Sequence, residues 1–186
     1  MNIALPTPYY QDEYATIYHG DSRQIVPLLG AFDLLLTDPP YGLKESNKRA
    51  LSRGRGGFTS QRNAKAAWAR DYGDFDWDSN TPSGYLLDML RDSTAHQIIF
   101  GGNYFHLPPS SCWLVWDKDN TGDFADCELA WTNLKKAVRK FTWRWSGMLQ
   151  EDMARKELRQ HPTQKPLALM AWCLTHAPDG VKTVLD

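Results

Sequence analysis

Asp38-Pro39-Pro40-Tyr41 stands directly after the apolar run Phe32-Asp33-Leu34-Leu35-Leu36-Thr37. Such a run is typical of a strand buried on both faces, and two prolines at its end stop the ladder. Ligands of open α/β sheets gather at the carboxyl ends of strands, so the tetrapeptide falls where a site is expected. Its parts suit one chemistry. The Asp38 carboxylate accepts hydrogen bonds, the Pro39 carbonyl accepts without a competing N–H on its own residue, and the Tyr41 ring offers a flat face. Together they can hold a planar group bearing an NH2. A plain Asp-Pro turn is the alternative for the same four residues. Far along the chain, His161-Pro162-Thr163-Gln164-Lys165-Pro166 precedes an apolar helical stripe. Six specified residues ahead of a helix N-terminus are hard to obtain by accident.

The elements that must position these motifs alternate between strands and helices. Residues 14–19 read as a short strand ending at Gly20-Asp21, after which Asp21 or Ser22 caps a short helix that Pro27 disturbs. Residues 96–100 (HQIIF), 112–116 (CWLVW) and 127–132 (CELAWT) read as further strands, and 181–185 as the last. Residues 138–145 alternate, with Phe141, Trp143 and Trp145 on one face and Lys140, Thr142 and Arg144 on the other. Trp143 and Trp145 read as core residues ahead of base-stacking ones. Thr81-Pro82 looks like an N-cap followed by Pro at the first helical position, with Tyr85, Leu86, Met89 and Leu90 as the apolar stripe. Pro166 opens a helix with Leu167, Met170, Ala171 and Leu174 on one side. Residues 42–80 are rich in Gly, Ser, Arg and Asn and read as a long loop, and 150–160 are polar and read as a loop or a frayed helix. Buried-type strands alternating with helices predict a mostly parallel α/β sheet. The 186 residues suit one domain, 1–186, and show no internal repeat.

Net charge is −1, but its distribution is uneven. Sixteen of the 21 Lys and Arg residues fall within 44–70 and 135–159, and the first stretch holds one acid, Glu45. An averaged charge near zero can hide basic surfaces. Hydrophobic residues at 42% and aromatics at 12% exclude a disordered chain. No apolar run approaches the ~20 residues of a membrane span. Residues 1–10 carry no basic start and no apolar signal core, so secretion is not expected. Cys112, Cys127 and Cys173 form no CxxC pair, which argues against a disulfide framework and a zinc site and for a reducing cytoplasm. His19, His96, His106 and His176 have no metal-ligand spacing and read as structural.

Taken together, these segments resemble the S-adenosylmethionine-dependent DNA amino-methyltransferases, in the circularly permuted group whose DPPY precedes the cofactor half. The resemblance takes in Ile17 to Asp21, FDLLLTDPPYG at 32–42, IIFGGNYF at 98–105, WLVWDK at 113–118, CELAWT at 127–132, HPTQKP at 161–166 and TVLD at 183–186. It implies a Rossmann-like methyltransferase fold and methyl transfer from S-adenosylmethionine to the N6 amine of a flipped adenine in double-stranded DNA. DPPY with its Asp favours adenine N6; cytosine N4 is the alternative, and a non-catalytic DNA-binding relative is another. A bacterial or phage origin goes with that group, and no metal is implied.

The resemblance also implies roles. Asp38, Pro39, Pro40 and Tyr41 would be catalytic: Tyr41 stacks on the base, while Asp38 and the Pro39 carbonyl accept from the amine. Asp21, Asp38, Thr163, Gln164, Lys165 and Asp186 would serve the cofactor. Asp21 lies near its adenine ring in this view, or is simply a helix N-cap. Lys165 pairs with its carboxylate, or is a solvated first-turn lysine. Asn103 and Tyr104 line the pocket, or only pack. Residues 42–80 become a DNA-facing insertion, with Lys44, Lys48, Arg49, Arg53, Arg55, Arg62 and Lys65 on phosphates, or else a solvated loop. Residues 135–160 would hold the other side of the duplex.

In that group TVLD runs on into a Gly-rich loop, a helix and a strand ending in an acid that holds the cofactor ribose. Residues 1–186 stop at Asp186, ahead of that strand–helix unit, whose strand belongs between 181–185 and 17–19. The expectation is that this polypeptide by itself binds S-adenosylmethionine poorly or not at all.

Overall fold

The computed structural model describes residues 4–43, 79–119, 125–146, 149–158, 160–161 and 163–186. Phe32–Thr37 forms β3, and its burial explains the continuous apolar run: Leu34 and Leu35 are fully buried and Leu36 nearly so. Successive side chains of a strand point to opposite faces. Leu34 and Leu36 accordingly join one core with Ile98, Phe100, Leu114, Trp116, Leu169 and Cys173, while Leu35 joins a second with Val26, Ile99, Trp131 and Leu185.

Six strands make the main sheet, in the order β10-β3-β4-β6-β5-β7. They are β3, β4 (Thr94–Phe100), β5 (Trp113–Asp117), β6 (Cys127–Thr132), β7 (Arg139–Thr142) and β10 (Val184–Leu185). β10, β3 and β4 run parallel, with Leu36 beside Ile98 and Leu185 beside Leu35. β6 is antiparallel to both its neighbours, β4 and β5, and β7 lies parallel to β5. The α/β expectation with a mostly parallel sheet therefore holds, with β6 the one reversed strand among the six. Helices cover both faces. α3 (Leu167–Leu174) buries Leu169 and Cys173 in the first core. α1 (Ser22–Leu29) and α2 (Gly84–Asp92) supply Val26, Met89 and Leu90 to the second.

Several local expectations are corrected. Residues 14–19 do not join the main sheet. Their strand shrinks to β2 (Thr16–Ile17), which among the described residues pairs with β1 (Tyr10–Gln11) alone. The Asp12 carboxylate closes that hairpin by accepting from the Tyr14 and Ala15 N–H groups at 2.8 and 2.7 Å. The alternating stretch 138–145 breaks after β7: the Trp143 N–H still reaches the Asp117 carbonyl, then β8 (Trp145–Ser146) turns away to pair with β9 (Leu149–Gln150). Trp145 is nevertheless buried in the first core, with Phe141 and Trp143 packed against it. β9 also takes the start of the expected 150–160 loop, and the last strand is Val184–Leu185 rather than 181–185. α2 is capped by Ser83, whose hydroxyl accepts from the Leu86 N–H, and not by Thr81; it buries Leu87 and leaves Tyr85 exposed. α3 buries Leu169 and Cys173; of the expected stripe Met170 packs against the same core, while Leu167 and Leu174 are exposed. Pro166, fully buried at its start, sets that rotation.

Candidate active site

At the end of β3 the chain leaves the sheet through Asp38-Pro39-Pro40-Tyr41 and turns at Gly42, whose φ is +72°. The turn brings the Tyr41 hydroxyl back onto Asp38, donating to Oδ1 at 2.6 Å. Lys165, 127 residues away, donates from Nζ to the other oxygen, Oδ2, at 2.7 Å. The two sequence motifs therefore meet on one carboxylate. Pro166 anchors the approach, because its burial pins the backbone next to Lys165.

Lys165 is enclosed on several sides. Its side chain is 7% exposed, and Nζ lies 3.0 Å from Glu128 Oε2, an ionic contact whose angle leaves Oε2 without a directed hydrogen bond. The same ammonium is 3.4 Å from the Tyr41 hydroxyl oxygen. It stands 5.3 Å from the Phe100 ring centroid and 5.6 Å from that of Tyr41. Glu128 projects from β6 and uses its second oxygen to hold Lys118, which in turn lies over the Trp116 ring. The result is an alternating series, Lys118, Glu128, Lys165, Asp38, running from the β5–β6 strands to the tip of β3.

The electrostatics follow from burial and charge order. Burial alone would lower Lys165, but Glu128 and Asp38 overcome it and hold the ammonium above its ordinary value. Burial would raise Glu128, but Lys165 and Lys118 hold its carboxyl below the ordinary range. Burial, followed by the negative charges of Asp38 and Glu128, pushes the Tyr41 phenol far above its usual value, so it remains an O–H donor.

Behind Tyr41, Tyr104 stacks at 5.1 Å and 17° and Phe105 meets its edge. Both come from the 3-10 turn Gly102–Tyr104 and its flank, entered through Gly101 at φ +67°. A Cβ on Gly101 would run into the Tyr41 ring, so glycine is required there twice over.

The other expected residues are placed differently. Asp21 is the N-cap of α1: it accepts from the Arg23 N–H at 2.9 Å and pairs with its guanidinium at 2.6 Å. Thr163 meets His161 Nδ1 through its hydroxyl at 3.0 Å. Gln164 accepts from the Gln160 N–H at its side chain and from Trp145 Nε1 at its carbonyl. Those two residues shape the loop, and of Thr163, Gln164 and Lys165 only Lys165 reaches Asp38. Asn103 is exposed beside the stack. Asp186, at the end of β10, is near Asp38; crowding raises its carboxyl, a hydrogen bond with Thr37 opposes this, and the Asp38 charge adds to it. Lys44, Lys48, Arg49, Arg53, Arg55, Arg62 and Lys65 lie outside the described residues, as does Pro162.

Glu128 and Lys118 are members that motif reading missed. The available signal was an acid inside the otherwise apolar CELAWT strand, since a buried charge requires a partner. No group of three or more metal-ligating side chains occurs among the described residues, and no helix there is long and apolar enough to cross a membrane. Compared with family models, curated proteins and solved structures, the chain gives no match.

Proposed function

We propose that this chain is a DNA methyltransferase acting on adenine N6 with S-adenosylmethionine as methyl donor, on a permuted Rossmann-like fold. One observation carries the reading: DPPY and the lysine of HPTQKP, far apart in sequence, converge on Asp38 at the carboxyl end of a central parallel strand. That is where α/β sheets bind ligands. The sheet order, with one reversed strand two places from β3, is compatible with it.

In this reading the Asp38 carboxylate and the Pro39 carbonyl accept from the target amine. Asp38 retains acceptor capacity, since a carboxylate takes about four hydrogen bonds and the described residues use two. Two acceptors turn the amine away from conjugation with its ring and stabilise the positive charge that grows on nitrogen as the N–C bond forms. The methylated amine then loses its proton without a strong base. Tyr41 supplies the flat face for the base on the side not covered by Tyr104, which stacks on it at 5.1 Å.

S-adenosylmethionine, when bound, would supply an electrophilic methyl whose S–C bond breaks as the N–C bond forms, the sulfonium leaving as a neutral thioether. The residues present suit that cation: Asp38 and Asp186 place two acids at adjacent parallel strand ends, and the raised Asp186 carboxyl favours a positive neighbour. Lys165 does not suit the cofactor carboxylate, because its charge is already matched by Asp38 and Glu128. Its role here is to hold the Asp38 carboxylate in place. Asp21 is left as a helix cap.

Duplex binding is supported by the exposed cations Lys135, Lys136, Arg139, Lys140 and Arg144 on and around the edge strand β7. Phosphate contacts of this kind make affinity fall steeply with salt. The test is to express the gene in bacteria lacking DNA adenine methylation and to separate the nucleosides of their DNA. N6-methyladenine is expected. N4-methylcytosine would overturn the substrate, and unmodified DNA from cells making soluble protein would overturn the enzyme.

A further inference from the structure

Asp38 stands on a loop outside the sheet, yet its carboxylate is held by a side chain whose other partner is in the sheet. Lys165 reaches Asp38 Oδ2 at 2.7 Å and Glu128 Oε2 at 3.0 Å. Glu128 is fixed in β6, opposite Trp116 of β5, and its second oxygen is tied to Lys118. A lysine ammonium on a four-carbon stem is mobile when it serves one carboxylate. Two carboxylates and two flanking rings leave this one little freedom. Buried ion pairs contribute little net stability relative to well-packed apolar residues of similar volume. An acid in an apolar strand is therefore poorly explained by folding alone.

We propose that Glu128 is a positioning residue for Asp38, acting through Lys165. It fixes the ammonium so that one Asp38 oxygen points at the lysine and the carboxylate keeps its orientation at the end of β3. The inference rests on reading Asp38 as the acceptor of the target amine. Lys165 is faced by Asp38 and Glu128 directly, with the Tyr41 hydroxyl 3.4 Å away and the Lys118 cation on the far side of Glu128. Charge order then sets the signs. Loss of Asp38 or Glu128 removes an anion beside Lys165. Loss of Lys118 removes a cation one place further out.

The experiment titrates the Lys165 ammonium by carbon-13 NMR of its Cε in the folded protein, with the signal assigned by its absence in Lys165→Met. Asp38→Asn should lower the Lys165 midpoint, because an anion beside it is lost. Glu128→Gln, which keeps shape, should also lower it, and Lys118→Gln should raise it by less. In methyl transfer, Glu128→Gln should reduce kcat about tenfold or more, with KM for DNA within about twofold, as loss of a transition-state interaction does. It should also move the alkaline limb of kcat downward, since Lys165 keeps only one carboxylate. Unmoved midpoints in Glu128→Gln and Lys118→Gln overturn the proposal, as does a normal kcat in Glu128→Gln with shifted midpoints. If Glu128→Gln does not fold, the Lys118→Gln titration decides alone. Midpoints shifting with these signs in a full gene product that transfers no methyl group would sink the methyltransferase reading and leave the hold on Asp38 standing.

Discussion

Lys165→Met removes one charge from the centre of the Asp38–Lys165–Glu128 group while keeping most of the side-chain volume. Lys165 is 7% exposed, and its partners Asp38 and Glu128 are 26% and 21% exposed. These groups are too enclosed for water to screen the interaction to the surface value. Deleting one member of such a buried pair costs about 3–5 kcal/mol, because an uncompensated charge is left behind. For a chain of this size each kcal/mol is roughly 2–4 °C of melting temperature, so a fall of roughly 6–20 °C is expected. The pH dependence gives the sharper signature. In the wild type, Lys165 is raised, so its contribution is complete below its unfolded value and fades as pH rises through the folded one. Glu128 is lowered, so its contribution is present above its unfolded value and fades as pH falls through the folded one. In the variant, burial raises Glu128 and acid relieves it by protonation. The gap between the two proteins should thus be widest near neutral pH and shrink towards acid and strong alkali. Urea unfolding followed by tryptophan fluorescence across that range measures it. A gap below about 1 kcal/mol at neutral pH, or one constant down to acid, refutes the buried-pair reasoning.

Gly101→Ala should destabilise by roughly 1–3 kcal/mol in urea unfolding and weaken the near-UV dichroism of the Tyr41–Tyr104 stack, since the new methyl meets the Tyr41 ring at a positive φ. Leu169→Ala should cost about 2–5 kcal/mol, whereas Leu167→Ala, at a position 70% exposed, should stay within about 0.5 kcal/mol. The reverse order would mean α3 is rotated. Asp33 accepts from the Lys182 and Thr183 N–H groups at 2.9 and 2.8 Å and from the Thr183 hydroxyl, which tie the approach of β10 to β3. Those bonds lower its pKa, so its contribution is present above the unfolded value and is lost as pH falls through the folded one. Asp33→Asn should therefore lower the melting temperature at neutral pH and not in strong acid; equal loss at both would remove the ionic part of that account.

The part of the fold legible in the sequence is the part written by burial on both faces. β3 read to the residue because its apolar run is buried on both faces, whereas β4 begins at Thr94, two residues before the apolar-rich 96–100 stretch, where the exposed Ala95 hid its start. DPPY stood out as a candidate site for the same reason, since it marks where such a strand stops. The helix faces were harder. α3 is LALMAWCL, apolar all round, so no stripe distinguishes its buried side, and Pro166 decides it by its own burial. The 138–145 stretch alternates without a break in sequence, yet the strand ends at Thr142; the aromatic facing survives because Trp145 is drawn into the same core. The pairing of Lys165 with Glu128 was not legible, because charge partners 37 residues apart are chosen by strand order. Lys165 consequently read as a cofactor ligand or a solvated lysine, and the structure makes it a buried bridge.

The central claim is that Asp38 accepts from the amine that receives the methyl group. The direct measurement is single-turnover transfer of labelled methyl from S-adenosylmethionine to unmethylated duplex DNA, comparing the full gene product with its Asp38→Ala variant and separating the nucleosides. The account predicts label in N6-methyladenine with the wild type and a rate at least about a hundredfold lower with the variant, at unchanged DNA affinity. Transfer by Asp38→Ala at a rate close to that of the wild type would contradict it.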